Sequence, residues 1–541
     1  MRKAILKSWP YLILLLIITT CAAILEGLVH IYLMNVIDIV FSGNKSLFKS
    51  EAIKLILLAI LLLPTGVLMA FGKGLFKKKA LVLAKEYYVN SVFKKNINEF
   101  QKENTAKYIS AITNDINTIE NNYITGIYEI LINIIYFIVV IAIIVYVSPM
   151  ALLLGLSIGI ASSIISVALN KPIQKHHIQR SELYEKYTTY IKEVLSAFHI
   201  IKSNNLNSKV KKDFYDKSNS IQEKGYVIDK LETYITALQN ITIYLALFIL
   251  LGITSYMAIK GSISFGGVVL VINNIDRIIN PVMVIGERLP KLLSTKRLFE
   301  KIDKTLENQD DYIETVELEA FKDGIEFKDV SFAYDDGYIL SDVNISFKKG
   351  EKYLIIGPSG GGKSTFLKLL RKYFVPNKGK ILIDGKDLKD ITKESYFKHI
   401  SNVEQEVFLF EDTIRNNLTL YKDYSEAEIQ DAIEKTGLND FIKSLPQGLD
   451  TMIYDNGKNI SGGERSRIAI ARSLLQKADI LFLDEAFASL DSKTAKEIEN
   501  TLLNLKDITV VNVSHVIFRE NKAKYDNVYL VKNKGIKALF N

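Results

Sequence analysis

A glycine-rich stretch is the part of this sequence best equipped for chemistry. Its members are Gly357, Pro358, Ser359, Gly360, Gly361, Gly362, Lys363, Ser364 and Thr365. They follow an apolar strand pattern at 352–356 and lead into a helix at 366–370, which is the setting that the phosphate-loop motif G-x-x-x-x-G-K-[ST] requires. Such glycines let backbone N–H groups turn toward an anion, and the helix N-terminus adds partial positive charge. Lys363 would reach the β- and γ-phosphates of a nucleotide, and the Ser364 hydroxyl would hold Mg²⁺.

Two acidic residues end a second apolar strand. Residues 480–483 read Ile-Leu-Phe-Leu, and Asp484 and Glu485 follow directly. Beside a phosphate loop, Asp484 can enter the Mg²⁺ shell, and Glu485 can polarise an attacking water as a general base. A strand end whose acids are merely solvated is the alternative, and the phosphate loop upstream disfavours it.

A second candidate anion site lies between these two motifs. Ser461, Gly462, Gly463 and Glu464 precede a helix with apolar periodicity over 468–475. A serine and two glycines at the start of a helix again offer backbone N–H groups to an anion. Because one chain has two such helix starts, we expect the second to serve the nucleotide of another molecule.

These motifs occupy only the last part of a chain of 541 residues, which is long enough for two or more domains. Hydrophobic residues make up 48% of the chain, which excludes disorder. The single cysteine, Cys21, excludes a disulfide scaffold, and we expect it to act as a small core hydrophobe. The net charge of +8 comes from lysines beside apolar segments, which fits a membrane face better than nucleic acid.

Six apolar stretches are long enough to span a membrane, since a spanning helix needs about 20 residues. They lie at roughly 10–40, 52–76, 124–147, 149–169, 233–259 and 265–287. The distribution of lysine and arginine places both termini and the long loops 77–122 and 171–232 in the cytoplasm. The loops are nearly free of proline and keep helical periodicity, so we expect the membrane helices to extend through them; two independent soluble loops are the alternative. No peptidase domain is expected ahead of the first span.

Several polar residues interrupt the predicted spans at spacings that put them on shared helix faces. They are Glu26 with His30, Glu129 with Asn133, and Asn273 with Asp276 and Asn280. A charge left in hydrocarbon costs ~3 kcal/mol or more, so these groups should face a bundle interior or a wet cavity. The functional interpretation is a substrate cavity, for which the candidates are Glu26, His30, Glu129, Asn273 and Asp276; interhelical hydrogen bonding is the alternative. For Asp276 and Arg277 we favour a structural pairing.

The combination of motifs resembles the ATP-binding cassette (ABC) transporter family, specifically its half-transporters of the exporter type. The resemblance covers essentially the whole chain and rests on the phosphate loop, the 461–464 signature and the 484–485 acids. It implies a membrane α-helical bundle, with six spans and long cytoplasmic helix extensions, followed by an α/β P-loop NTPase domain of the ABC type. The implied parts are a transmembrane domain at 1–303, a linker at 304–322 and an ATP-binding cassette domain at 323–541.

Further positions match the family's motifs in order. The resemblance implies that Gln405 touches Mg²⁺ and meets the membrane domain, that Tyr334 stacks on adenine, and that His515 lies near the γ-phosphate. Asp491 matches the family's D-loop. The residues assigned to catalysis are then Glu485, His515 and Lys363, and those assigned to Mg²⁺ are Ser364, Gln405 and Asp484. Residues 111–115, 193–202 and Pro281 resemble the family's membrane-domain patterns.

The sequence departs from the family's pattern in three places, one of which is the run after His515, which reads Val-Ile-Phe instead of beginning with the usual arginine and leucine. The signature ends in Glu464 where the family usually has glutamine; because a carboxylate only accepts hydrogen bonds, we expect tuned function rather than lost function. Asp455, in Tyr454-Asp455-Asn456-Gly457, stands where exporters typically show Gly-Glu-x-Gly, and it keeps the charge with a shorter reach. This difference bears on coupling to the partner's loops, not on ATP binding.

The resemblance also implies a mechanism and partners. Each ATP would lie between Lys363 of one chain and Ser461 of the other, so a homodimer suffices, and a heterodimer with a second half-transporter is the alternative. ATP binding and hydrolysis would drive alternating access and export an amphipathic or hydrophobic peptide, drug or lipid across a bacterial plasma membrane. The acids in the spans favour cationic amphipathic substrates. An importer and a nucleotide-gated channel or sensor on the same fold are the alternative functions, and the expected partners are the lipid bilayer and the substrate, not nucleic acid.

Overall fold

The structure, a computed structural model, describes residues 1–308, 312–334, 337–515 and 517–540. Its contacts divide the chain into two compact units. The first comprises Met1–Lys95 and Glu103–Glu307, and the second comprises Asn96–Lys102 and the chain from Asn308 onward. The domain boundaries given above, with a linker at 304–322, stay predictions.

The first unit consists of helices. They are Arg2–Leu6, Trp9–Ser42, Lys45–Phe93, Thr105–Ser110, Ile116–Ile119, Thr125–Val147, Pro149–Ser196, Phe198–Ser203, Asn207–Ile259, Phe265–Asn273 and Ile275–Leu306, with π-helical turns at Ala111–Asp115 and Glu120–Ile124. Cys21, predicted to be a core residue, is exposed on the first long helix, so that prediction was wrong.

Five helices in the described part of the chain are long and apolar enough to cross a membrane. They are Trp9–Ser42, Lys45–Phe93, Thr105–Val147, Asn207–Ile259 and Phe265–Leu306. The remaining predicted span, 149–169, lies in the helix Pro149–Ser196, but most of its side chains (158–159 and 161–169) lie outside the described residues.

The long helices continue well beyond the predicted spans. Asn207–Ile259 has 53 residues, which corresponds to about 80 Å at 1.5 Å per residue. Most of the predicted loops 77–122 and 171–232 is helical. The prediction of helical extensions is therefore confirmed, and the alternative of two independent loops was wrong.

The second unit contains two β-sheets and short helices. The helices are Ile97–Lys102, Lys363–Leu370, Lys393–His399, Ile414–Thr419, Glu426–Lys435, Asn439–Ser444, Gly462–Leu475, Ser492–Leu503 and Arg519–Lys522. The strands are β1 Gly324–Ala333, β2 Tyr338–Lys348, β3 Lys352–Ile356, β4 Lys378–Ile383, β5 Lys386–Asp387, β6 Ile400–Val403, β7 Ile480–Asp484, β8 Thr509–Val513, β9 Asn527–Lys532 and β10 Gly535–Phe540. The antiparallel sheet has the order β2-β1-β4-β5, and the larger sheet has the order β10-β9-β3-β8-β7-β6.

The larger sheet brings the predicted site residues to one edge. Its neighbours β9-β3, β3-β8, β8-β7 and β7-β6 are all parallel. Strands β7 and β8 are buried along their whole length, as expected for parallel strands covered on both faces. Because parallel strands end at the same edge, the segments that follow β3, β6, β7 and β8 meet there, which is where α/β sheets bind ligands.

Candidate nucleotide site

The phosphate loop follows β3 and has a backbone that only glycine adopts readily. Gly357, Gly360 and Gly362 have φ angles of +156°, +72° and +102°. A Cβ on Gly357 would lie 2.2 Å from the carbonyl oxygen of Val531, so a side chain there would require the backbone to move. The loop then turns directly into the helix that begins at Lys363, with its N–H groups at the helix start.

Lys363 crosses the phosphate loop. Its Nζ donates to the carbonyl oxygens of Gly357 and Pro358, both at 3.0 Å, and lies 3.3 Å from Nε2 of His515. The side chain is buried, and burial lowers its pKa against the opposing effect of Glu485 and Asp484. Because neutral carbonyls are its hydrogen-bond acceptors, an anion at this place would stabilise the ammonium group strongly.

Glu485 is the centre of a second set of contacts at the same edge. Its Oε1 lies 3.0 Å from Nε2 of His515, and its Oε2 accepts a hydrogen bond of 3.0 Å from Nε2 of Gln405. Its backbone has a φ of +50°, which is uncommon outside glycine and asparagine, and its N–H donates to Val513 at 2.9 Å. Backbone strain of this kind clusters at functional sites, where the surrounding structure holds it in place.

Asp484 is suited to hold a cation. Its side chain is buried, and Oδ1 has no hydrogen-bond partner among the described residues. Burial raises the pKa of Asp484, while Arg371, 3.8 Å from Oδ2, acts in the opposite direction. With the exposed Ser364 hydroxyl and the Gln405 amide, it offers the hard oxygen ligands that Mg²⁺ prefers.

The predicted magnesium site would combine protein groups with the phosphates of a nucleotide. No group of three or more His, Cys, Asp or Glu side chains that could hold a metal occurs in the described ranges. Mg²⁺ is commonly held by one or two protein groups together with substrate phosphates. The orphaned Asp484 oxygen beside a phosphate loop fits that kind of site.

Tyr334 presents an aromatic surface near the same loop. Its hydroxyl lies 3.3 Å from Oγ1 of Thr365, and its ring packs edge-on against Phe332 and Phe374 at 5.1 and 5.3 Å. The residue remains 46% exposed among the described residues, so part of the ring is accessible to a base. The assignment of Tyr334 to adenine stays a prediction.

The signature residues form a complete helix cap. Ser461 Oγ accepts from the N–H of Glu464 at 3.2 Å, and the Glu464 carboxylate accepts from the N–H of Ser461 at 2.7 Å. Glu464 therefore acts as an acceptor, a task that the oxygen of a glutamine could also perform. The effect of this departure on function stays a prediction. No hydrogen bond or ion pair in the described chain joins this cap to the Lys363 and Glu485 contacts.

Asp491 and Asp455, two further motif positions, form contacts with residues close to them in sequence. Asp491 caps the helix Ser492–Leu503 by accepting from the N–H of Thr494 at 3.0 Å. The departing residue Asp455 pairs with Lys458 at 2.8 Å on the surface. Their predicted roles toward a nucleotide or a partner stay predictions.

The polar residues in the membrane helices are held by partners that sequence reasoning missed. Arg277 forms an ion pair with Glu26 and lies over the ring of Tyr136, 4.2 Å from its centroid. The structural pairing that we favoured therefore holds for Arg277, whose partner is Glu26 on another helix. Arg288 pairs with Glu129 at 2.7 Å.

The remaining candidates for a substrate cavity have different surroundings. His30 Nδ1 lies 2.9 Å from Oδ1 of Asn274, between two helices. Asn273 is exposed. Asp276, with Asn280, lines a cavity of about 380 Å³ in the first unit, and no ion pair or hydrogen bond involves its carboxylate among the residues that the structure describes.

Comparison with known proteins gives matches over both units. The family models described as "ABC transporter transmembrane region" and "ABC transporter" match residues 11–282 and 340–488. An uncharacterised ABC transporter ATP-binding protein of Bacillus subtilis, YfiC, is 30% identical over 442 residues, which are 80% of this chain and 72% of that protein. An ATP-dependent lipid A-core flippase of Syntrophus aciditrophicus is 28% identical over 492 residues, 88% of this chain and 80% of the flippase.

A solved structure has the same fold. It is that of a bacterial Atm1-family ABC exporter with ATP bound, with a TM-score of 0.77 and 22% identity. The match covers 99% of this chain and 94% of that chain, so the order of membrane helices and nucleotide-binding sheets is shared throughout.

Proposed function

The chain belongs to the ABC transporter family as a half-transporter of the exporter type, and on this premise we propose that two copies form a membrane exporter driven by ATP hydrolysis. The observation that carries the proposal is the meeting of Lys363, Glu485, His515 and Gln405 at one sheet edge. The lysine-rich segments support a cytoplasmic position for both termini and for the ATP-binding region.

Each of these residues has a distinct role in the proposed reaction. Lys363 donates hydrogen bonds to phosphate oxygens. Glu485 accepts a proton from a water whose oxygen attacks the γ-phosphorus, while the bond from that phosphorus to the β–γ bridging oxygen breaks. His515, in contact with the Glu485 carboxylate, fixes its orientation. Ser364, Gln405 and Asp484 would hold Mg²⁺, which would supply neutralising charge for the phosphate oxygens.

The proposed site is completed by a second copy of the chain. Ser461 has no contact with the Lys363 cluster in the described residues, and the capped helix start leaves N–H groups to meet a phosphate from a partner's nucleotide. Two symmetric copies would then form two equivalent sites.

Mixing two inactive variants tests this arrangement. Chains with Lys363→Ala and chains with Ser461→Arg should each form dimers without a complete site, since every site needs both residues. Random mixing of equal amounts should restore ATPase activity to about a quarter of the unmodified level, because half of the dimers then hold one intact site of two. Activity is measured after co-reconstitution in lipid.

The matched control replaces the Ser461→Arg chain with a chain that carries both substitutions. This mixture contains no intact site and should stay inactive. If the first mixture were also inactive while both variants exchange subunits, the site would lie within one chain and the proposal would be wrong.

The substrate proposed for this exporter is a cationic amphipathic molecule. Glu26 and Glu129 are neutralised by Arg277 and Arg288, so they do not supply the negative charge that their positions suggested. Asp276 faces the cavity without an ion pair in the described chain. A lone carboxylate in a membrane segment is costly, and a protonated amine would relieve that cost.

Asp276→Asn tests the proposed preference. We expect the concentration of a cationic amphiphilic dye that half-stimulates ATPase activity to rise about ten-fold, with little change for a neutral analogue. Asp276→Glu, which keeps the charge, is the control and should stay close to the unmodified protein. Equal effects on charged and neutral dyes would contradict a role for the charge.

A further inference from the structure

Two buried cations directly follow the phosphate-loop helix. Arg371 is 1% exposed and Lys372 is 6% exposed. Burying a charge is costly unless it is paired, so such residues need nearby acids. Lys372 also has a φ of +57°, at a helix end where glycine would avoid a strain of about 1 kcal/mol. The lysine side chain is therefore buried at a position whose backbone conformation favours glycine.

Arg371 connects the end of this helix to the nucleotide site. Its guanidinium donates to Glu404 at 2.7 Å, and it lies 3.8 Å from Asp484. Glu404 immediately precedes Gln405, which contacts Glu485. One cation thus links the helix to the segments that carry the predicted magnesium and catalytic residues.

Lys372 connects the same helix end to different segments. Its Nζ lies 3.1 Å from Oε1 of Glu314, and Nζ of Lys393 lies 3.2 Å from the same oxygen. Lys393 Nζ in turn donates to Oδ1 of Asn96 at 2.7 Å, and the N–H of Asn96 donates to Oδ1 of Asn308 at 2.9 Å. One carboxylate therefore joins two lysines, one of which holds Asn96.

Asn96 begins a segment that joins two membrane helices. Residues Asn96–Lys102 lie in sequence between two long membrane helices, yet they pack within the second unit. Glu314 is held ionised in this network: burial would raise its pKa, but the bonds from Lys372 and Lys393 keep the pKa below its usual value.

We infer that Glu314 is a positioning residue which, through Lys372 and Lys393, couples the phosphate-loop helix to the segment Asn96–Lys102. The inference rests on the proposed function, because it assumes that nucleotide binds the loop ahead of that helix. A shift of the helix end would move Lys372, and Glu314 would carry the shift to Lys393 and Asn96. Removing the carboxylate takes away the acceptor that the two ammonium groups share, so they would repel each other. Lys372 would then keep only its bonds to the carbonyl oxygens of Ile391 and Lys389, neither of which reaches Asn96.

Hydrogen exchange in the full-length chain, reconstituted in lipid, tests the inference. The comparison is made in a Glu485→Gln background, so that bound ATP is not consumed. Adding Mg·ATP should slow amide exchange in both 357–370 and 96–102. With Glu314→Gln added, we expect slowing in 357–370 to persist and slowing in 96–102 to fall at least about five-fold. The KM for ATP, measured with Glu485 restored, should change less than about two-fold, because no group near the phosphates is altered.

Two further variants serve as a matched control and as an alternative in case Glu314→Gln does not fold. Glu319→Gln removes an exposed acid of the same segment and should leave both exchange patterns unchanged. Lys393→Met keeps the pair between Glu314 and Lys372 but removes the link to Asn96, so it should reproduce the loss in 96–102 even if Glu314→Gln does not fold. Unchanged slowing of 96–102 in Lys393→Met or in folded Glu314→Gln would overturn the inference. Absence of slowing in 357–370 without either substitution would instead count against the proposed function.

Discussion

Replacing Glu485 with glutamine is expected to leave ATP bound and to slow its hydrolysis at least about 100-fold. Glutamine keeps the shape of the side chain and can still contact His515 and Gln405, but it cannot accept a proton from the attacking water. The charge of Lys363 and the backbone of the phosphate loop, which would bind the phosphates, are unaffected. The measurement is ATP turnover in reconstituted protein, together with the affinity for a fluorescent ATP analogue.

The control for this prediction is Glu497→Gln. Glu497 is an exposed acid on the helix Ser492–Leu503, and its substitution should change neither turnover nor affinity. Turnover near the unmodified rate in Glu485→Gln would refute the assignment of Glu485 as general base. It would also leave the left-handed backbone at this position without a catalytic explanation.

Lys363→Ala is expected to weaken ATP binding at least about ten-fold, which corresponds to the loss of a charge-assisted hydrogen bond of 1.5–3 kcal/mol. The ammonium group also bonds to the carbonyls of Gly357 and Pro358, so its removal should loosen the loop that presents the N–H groups. Unlike Glu485→Gln, this variant should fail at binding before hydrolysis begins. Affinity is measured by titration with the fluorescent analogue.

Lys368→Ala provides the matched comparison for Lys363→Ala. Lys368 lies on the same helix and, instead of the loop carbonyls, approaches the ring of Phe374 at 5.8 Å. Its loss should leave the affinity for ATP within about two-fold, since its contact is a weak one. Equal affinity for ATP in the unmodified protein, in Lys363→Ala and in Lys368→Ala would show that Lys363 does not bind phosphate.

The phosphate loop, the acids after β7 and the signature could be predicted from the sequence because each is a local pattern with a local physical cause. Glycines at 357, 360 and 362 are required by the backbone, and a serine three residues before a glutamate forms a helix cap. That Gln405 and His515 act on the same nucleotide as Glu485 was implied by the family resemblance, and the structure adds that each follows a strand of the parallel sheet. The strand order itself came from the structure.

The ion pairs between distant segments could not be predicted in this way. Arg277 is next to Asp276 in sequence but pairs with Glu26, 251 positions earlier, because helix packing rather than spacing selects the partner. Arg288 with Glu129 follows the same rule, and Arg371 pairs with Glu404, 33 positions later, because strand order brings the end of β6 to the phosphate-loop helix. Helical periodicity identifies which face a residue occupies, but not which helix lies against that face.

Because the helix Asn207–Ile259 is long, a small tilt at one end moves its other end a considerable distance. Its 53 residues include no proline and correspond to a rod of about 80 Å. Each degree of tilt about one end of such a rod displaces the other end by about 1.4 Å. A rotation of a few degrees about one end would therefore move the other end by several Å.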